Sequence, residues 1–434
     1  MGASLEGARI YNLFPLLAGS IDQWEAHLDR IAAMGFNWVF VNPFHYPGFS
    51  GSLYAVKDYY QLNPLVQGTS KSSNDELIAG LAAAAKKRGL SVMMDLVVNH
   101  TAKDSVLAAE HPDWFEREAD GSVRSPFAVD PDTHAKTVWA DLAEINYRDR
   151  PERAEVIEYF GEVVRHYAGL GIRGFRCDAA YKVPKLVWRK LIQAGRKVRA
   201  DAVFAAENLG GMLEEVEALR SAGFDYMFNS SKWWDFRQDW LLKQYEQFRS
   251  IAPSVSFPET HDTARLAADL AGQGVTTVKD IERRYRQAYL FAAVFSTGVM
   301  IPIGYEYGFR KSLHVVESRP EDWEKPAFDL SDYIAEVNRM KVAQPVLNDE
   351  GPQRLVAQAN EHVVALQRRP LRGRTWAVSL VNTDQNASAT VRVGGLDPDI
   401  REGREITPGN EETAFTAGAA ISLAPGEIKV FAGG

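Results

Sequence analysis

The chain has 434 residues, 46% of them hydrophobic, enough for one α/β barrel of about 250 to 350 residues plus a smaller domain. Lys+Arg 49 against Asp+Glu 57 leaves a net charge of −8, which argues against nucleic acid or an anionic membrane as partner. The one cysteine, Cys177, excludes an internal disulfide, and Met1-Gly-Ala-Ser-Leu-Glu6 has neither a basic n-region nor an apolar h-region. No run is long enough to span a bilayer, so a protein of the reducing cytoplasm is expected.

Ala8-Arg-Ile-Tyr-Asn-Leu-Phe14 reads as a first strand, and Ser20-Ile-Asp-Gln23 as a capping box. It opens a helix with an apolar stripe of Trp24, Leu28, Ile31 and Ala32. Asn37 to Asn42 is a second buried strand. The aromatic, glycine-rich loop from Pro43 to Gln67 is too long for an idle connection. Ser73-Asn-Asp-Glu76 caps the next helix, and Ser91 to Val97 is strand three. From Thr101 to Arg150 the periodicity breaks down, which predicts a small excursion. A helix over Arg153 to Tyr167 follows, then strand four in the apolar run Leu170 to Phe175 and a helix from Lys185 to Val198. Strands five to eight are expected at Ala202–Ala206, Phe224–Phe228, Ser254–Pro258 and Val299–Ile303. Alternating strands and helices over this length imply parallel pairing and a (β/α)₈ TIM barrel.

After a helix near Tyr333 to Val342 the texture changes to short strand-like runs at Leu355-Val-Ala, Val363, Trp376, Ala389 and Ile428, broken by Gly, Pro and Asn. The expected division is a catalytic barrel at 1–344, with the excursion at about 101–150, and an all-β sandwich domain at 345–434.

Four strand ends carry charge, and in a parallel barrel those ends face the active site. They read Asp95-Leu-Val-Val-Asn-His100, Gly174-Phe-Arg-Cys-Asp178, Ala206-Glu207-Asn208 and Glu259-Thr-His-Asp262. In this order they resemble the α-amylase family of retaining glycoside hydrolases and transglycosidases. The resemblance implies that Asp178 is the nucleophile, Glu207 the general acid/base with a raised pKa, and Asp262 the third carboxylate gripping sugar hydroxyls. Arg176, two residues before Asp178, points to the same side of a strand and would orient the nucleophile and hold it ionised. His100 and His261 would donate to the sugar, and Asp95 would brace the site. Ser52-Leu-Tyr54 to Asp58-Tyr-Tyr60 resembles the segment whose aromatic, here Tyr54, stacks on that sugar. Trp233-Trp234 reads equally as a sugar platform and as core.

The sequence departs from the family after Asp178, where Ala-Ala-Tyr181-Lys182-Val183-Pro184 stands in place of the usual Lys-His pair. The missing histidine sits on the acceptor side and is linked to calcium in metal-bearing members, so no cofactor and no calcium at Asn99 are expected. Tyr181 and Lys182 are instead candidates for the acceptor side, or caps for the next helix. Lys-x-Pro followed by Trp188, and Tyr305-Glu-Tyr-Gly308, resemble the branch that transfers maltosyl units from maltose 1-phosphate to glucans. The expected activity is retaining cleavage of α-1,4-linked maltooligosaccharides with transglycosylation. A maltosyl transferase using an activated donor and a non-catalytic glycan-binding barrel are the alternatives.

Overall fold

The computed structural model describes residues 7–129, 135–356, 361–410 and 413–434. The hexapeptide Met1-Gly-Ala-Ser-Leu-Glu6 and Ala357 of the expected strand lie outside the described residues. Eight strands alternate with eight helices: β1 (Arg9–Leu13), α1 (Trp24–Ala33), β2 (Trp38–Val41), α2 (Asn74–Lys87), β3 (Ser91–Leu96), α3 (Glu152–Gly169), β4 (Gly174–Cys177), α4 (Lys185–Val198), β5 (Val203–Ala206), α5 (Leu213–Glu217), β6 (Tyr226–Phe228), α6 (Trp240–Phe248), β7 (Ser254–Ser256), α7 (Val278–Phe295), β8 (Gly298–Pro302) and α8 (Ser331–Ala343). The strands close into one barrel in which sequential neighbours pair in parallel and β8 pairs β1. Among the described residues, no helix is long and apolar enough to cross a membrane.

The period-2 alternation of a strand decides what fills the barrel and what crowns it. Inward positions low in the strands are apolar and pack on one another: Ile10, Phe40, Met93, Ala205, Tyr226 and Val255. Gly174 shares this layer because a Cβ there would lie 2.7 Å from the Trp38 ring and 2.9 Å from Met93 Cβ. Two residues further along β1, β2, β3, β4 and β5 the same face carries Asn12, Asn42, Asp95, Arg176 and Glu207. A polar layer thus caps an apolar one, at the C-terminal mouth.

Local chemistry explains the helix starts. Ser73 accepts from Glu76 N at 3.2 Å while Glu76 accepts from Ser73 N at 2.8 Å, a reciprocal box. Ser20 and Gln23 form the same kind of box, but the first turn is 3₁₀ (Ile21–Gln23) and α1 begins only at Trp24. The expected strand four needs correcting at its start. Helix α3 runs on to Gly169, the chain reverses at Gly171 with φ 104°, and Ile172 N returns to the Tyr167 carbonyl at 3.0 Å. Leu170 to Ile172 are therefore the turn that follows the helix, and Arg173, whose N bonds the Val92 carbonyl at 3.0 Å, leads into the strand at Gly174. Strand six begins at Tyr226 because the Asp225 carboxylate binds Phe204 N and Arg196, both at 2.8 Å. The excursion holds antiparallel pairs His100–Ala102 with Leu142–Glu144 and Phe127–Val129 with Lys136–Val138. Arg124 staples it, donating to Glu144 at 2.8 Å and lying 3.8 Å from Glu116, which Arg148 also meets at 3.0 Å.

Beyond α8, a six-stranded antiparallel sheet packs its buried face against the antiparallel strand pair Ala389–Arg392/Ala420–Leu423, around Trp376, Val378, Val391, Phe415 and Phe431. Its seam with the barrel floor is polar and heavily hydrogen-bonded, with Arg368 Nε left without a partner. Lys341 Nζ donates to the carbonyls of Ala293, Ser296 and Leu347, each at 2.7 Å. Arg368 donates to Val294 and Phe295 at 2.9 and 2.7 Å, so two basic side chains cap the carbonyls at the end of α7. Glu350 accepts from Ser254 N at 2.9 Å and Thr297 N at 3.1 Å, and from both hydroxyls. Lys341→Met keeps the apolar stem and strands three buried carbonyls. It is expected to lower stability by about 3 kcal/mol in urea denaturation with an unchanged slope, and a loss below about 1 kcal/mol would show the seam to be water-accessible.

Candidate active site

The mouth is organised by Arg176, which is 4% exposed. Its Nη1 donates to both oxygens of Asp95 at 3.0 and 2.9 Å and to Asp178 Oδ1 at 2.7 Å. Its Nη2 lies 3.9 Å from Glu207 Oε2, and its guanidinium sits over the Phe40 ring at 5.8 Å. The strand alternation that put Arg176 and Asp178 on one side in the sequence also brings in Asp95 from β3 and Glu207 from β5.

Directly after Asp178 the chain turns through Ala179, a non-glycine residue in the left-handed region (φ 42°, ψ 47°). That turn aims the Ala179 N–H at Glu207 Oε2 (2.9 Å), and Leu209 N reaches Oε1 at 2.6 Å. Ala180 N bonds the Glu207 carbonyl at 2.8 Å, while the buried Trp188 indole holds the Ala180 carbonyl at 2.9 Å. Burial dominates the Glu207 environment and pushes its carboxyl up to about 7; the Arg176 cation opposes this and Asp178 reinforces it. Asp95 is raised to about 6, again by burial first, against Arg176 and with Asp178.

Tyr54 closes the site from the long loop, which is itself a hairpin of His45–Pro47 with Val56–Leu62. The Tyr54 hydroxyl is 2.7 Å from Asp95 Oδ2 and 2.7 Å from His261 Nε2, and the two rings lie parallel within 3°. His261 Nε2 also faces Asp262 Oδ2 at 3.0 Å, and the Asp262 side chain is 58% exposed at the mouth. His100 is buried, its burial lowering the imidazole pKa against the pull of Asp178. Three buried polar atoms here have no protein partner: His100 Nε2, His261 Nδ1 and Asn208 Oδ1. Phe40, Leu209, Phe228 and Met300 supply the apolar part of the cleft.

The structure therefore gathers Tyr54, Arg176, Asp178, Glu207, His261 and Asp262 into one bonded cluster, with His100 electrostatically coupled to it. Tyr181 and Lys182 form a single 3₁₀ turn beside it. Gly211 lies against one face of the Tyr181 ring, where a Cβ would come within 2.8 Å of Cγ. Lys182 Nζ is 4.9 Å from that ring and 3.4 Å from Glu215 Oε1. The two tryptophans part company: Trp234 is core beside Phe236 and Phe291, whereas Trp233 is 51% exposed and packs edge-on to Phe257. Sequence reasoning missed Asn12, Asn42 and Ala179. The two asparagines were legible as polar residues at inward strand positions, but no motif drew attention to them.

Residues 3–118 match the family model described as the glucanotransferase domain of glycogen debranching enzyme. The chain is 29% identical over 339 residues to an alpha-1,4-glucan:maltose-1-phosphate maltosyltransferase of Burkholderia pseudomallei, covering 77% of this chain and 29% of that protein. A protein of the same name from Corynebacterium glutamicum is 24% identical over 427 residues, covering 88% of this chain and 60% of its own. The chain thus spans less than two thirds of the length of these relatives. Its fold is shared over 99% of both chains with a noncanonic maltogenic alpha-amylase from Thermotoga neapolitana (TM-score 0.75, 20% identity). It is also shared over 99% of both chains with the alpha-amylase from Geobacillus thermoleovorans complexed with acarbose (TM-score 0.77, 18% identity). Ordered motifs that resemble those of the α-amylase family, relatives named maltosyltransferases that match most of the chain, and a barrel shared with alpha-amylases make this chain similar to that family, with a likeness to its maltosyltransferase branch.

Proposed function

We propose that the chain is a retaining α-glucan-active enzyme that cleaves α-1,4-linked maltooligosaccharides by double displacement and passes the glycosyl group to sugar as well as to water. The observation that carries this reading is the unequal placement of two carboxyls around Arg176: Asp178 is hydrogen-bonded at 2.7 Å, and Glu207 stands 3.9 Å off and is raised to about 7. Asp178 attacks the anomeric carbon. Glu207 gives its proton to the departing oxygen and then takes one from the acceptor that breaks the glycosyl–Asp178 ester. Asp262, His261 and His100 offer hydrogen bonds to hydroxyls of the sugar being cleaved, and the unpartnered His100 Nε2 supports a polar ligand there.

A second reading, maltosyl transfer from a phosphorylated donor, draws support from the names of the matching relatives and from Lys182 beside the cleft. A non-catalytic glycan-binding barrel is disfavoured because Asp178, Glu207 and Asp262 are all in place. We propose in addition that no calcium is needed. Val183, where a metal-linked histidine is common, is buried and apolar, and Glu144 beside the Asn99 loop is already neutralised by Arg124. Among the described residues no cluster of three His, Cys, Asp or Glu could hold a metal ion.

Asp178→Ala and Glu207→Gln are each expected to fold and to lose at least about 10³-fold in kcat/KM on maltooligosaccharides. Activity of Asp178→Ala within tenfold of wild type would remove the nucleophile assignment. Glu207 must be protonated to act as acid, and its raised pKa keeps it so up to about pH 7. The free enzyme should therefore lose kcat/KM above pH 7 by about tenfold per pH unit. With a maltosyl fluoride, whose leaving group needs no proton, Glu207→Gln should regain most of its glycosylation rate and show no such limb.

For the acceptor side, products longer than the substrate should form early at millimolar maltooligosaccharide. Tyr181→Ala and Trp233→Ala should raise the ratio of hydrolysis to transfer. Only shorter products at every concentration, with that ratio unmoved, would make the enzyme a plain hydrolase. A chelator should shift the melting temperature by less than about 1 °C, and a drop above about 5 °C would show that a metal binds the native state.

A further inference from the structure

The polar layer of the barrel mouth continues beyond Arg176 to Asn12 on β1 and Asn42 just past β2, both fully buried. Asn12 Nδ2 donates to the Phe40 carbonyl at 3.2 Å and to Asn42 Oδ1 at 2.7 Å. A backbone carbonyl only accepts, so the Phe40 carbonyl obliges Asn12 to present its nitrogen, even though Asn12 Oδ1 is left without a partner. Asn42 must then turn its oxygen to Asn12 and its nitrogen to the Tyr54 hydroxyl, 3.1 Å away.

The Tyr54 oxygen has one proton to give and two lone pairs. Asp95 takes both of its Arg176 bonds as an acceptor and receives the Tyr54 proton at 2.7 Å. Asn42 fills one lone pair. His261 Nε2, at 2.7 Å, meets the other and can only donate. The count closes at one bond given and two received. The same Nε2–H faces Asp262, which leaves the buried Nδ1 bare.

We propose that Asn42 is a positioning residue of the active site, acting through Tyr54. Its amide, oriented by the Phe40 carbonyl through Asn12, fills one Tyr54 lone pair and leaves the single hydroxyl proton undivided for Asp95. His261 then carries its proton on Nε2, toward Asp262 and the sugar. Asn12 donates back to the Phe40 carbonyl and forward to Asn42, and from Asn12 onward each group donates to the next, through Asn42 and Tyr54 to the carboxylate that braces Arg176.

The kinetic arm of the test rests on the activity proposed above; the spectroscopic arm does not. At pH 7, Asn42→Ala is expected to lower kcat/KM on maltooligosaccharides about tenfold, the size of one lost buried hydrogen bond. Asn42→Asp, of the same shape but setting an acceptor against the phenol oxygen, should lower it at least thirtyfold. In the Tyr54→Phe background Asn42→Ala should cost less than twofold, because the group it acts through is gone. A full tenfold loss in that background would show Asn42 to be packing alone and would overturn the proposal. Nitrogen-15 NMR of wild type without substrate should show His261 protonated at Nε2 and bare at Nδ1. A proton on Nδ1 instead would overturn the proposed direction, whatever the enzyme does to glucans.

Discussion

A buried guanidinium is the constraint from which the active-site end of this barrel follows. Arg176 is 4% exposed on the inner face of β4, where a charge without partners would be strongly destabilising. It cannot shed its proton, so carboxylates must come to it. Asp95 meets it with both oxygens, Asp178 with one, and Glu207 stands close by. Those carboxylates are in turn expensive to bury, as the raised Asp95 and Glu207 pKa values register. Each group makes the others tolerable. Removing Arg176 would leave acids that protonate in place of acids arranged for chemistry, which is why a lysine, with a different donor geometry, is no substitute.

Much of this was legible because a strand has period two and a barrel has one inside. Once Gly174-Phe-Arg-Cys-Asp178 is read as a strand end, Arg176 and Asp178 must share a face, and the order of the other three motifs fixes which strands bring the remaining acids. Helix α4 was readable to the residue, bounded by Pro184 and Arg199. The start of β4 was not, because Leu170 to Phe175 is largely apolar and a buried turn after a helix looks the same as the start of a strand. The excursion was legible only as a break in periodicity, since its short antiparallel pairs are stabilised by Arg124 and its acids and not by an alternating pattern. The seam under the barrel could not be read at all. Lys341 lies within a helix pattern, and what makes it structural is three carbonyls from two other segments. Trp233 and Trp234 show the same limit: adjacent residues on a 3₁₀ turn leave in different directions, one to solvent and one to core.

The site distinguishes two carboxyls by distance from one cation and by backbone. Asp178 receives the guanidinium directly. Glu207 receives the backbone N–H groups of Ala179 and Leu209, and a hydrogen bond to the charged form pulls a pKa down. Burial outweighs both these bonds and the more distant cation, leaving Glu207 near neutrality. The left-handed turn at Ala179 links the two acids mechanically: the residue that follows Asp178 also holds Glu207. Such a φ in a residue with a Cβ costs on the order of 1 kcal/mol, and the surrounding bonds from Ala180 and Trp188 hold it there. The bonds around that one position keep the two carboxyls from moving independently. The proposed double displacement, which places a nucleophile and a proton on opposite sides of one bond, would depend on that coupling.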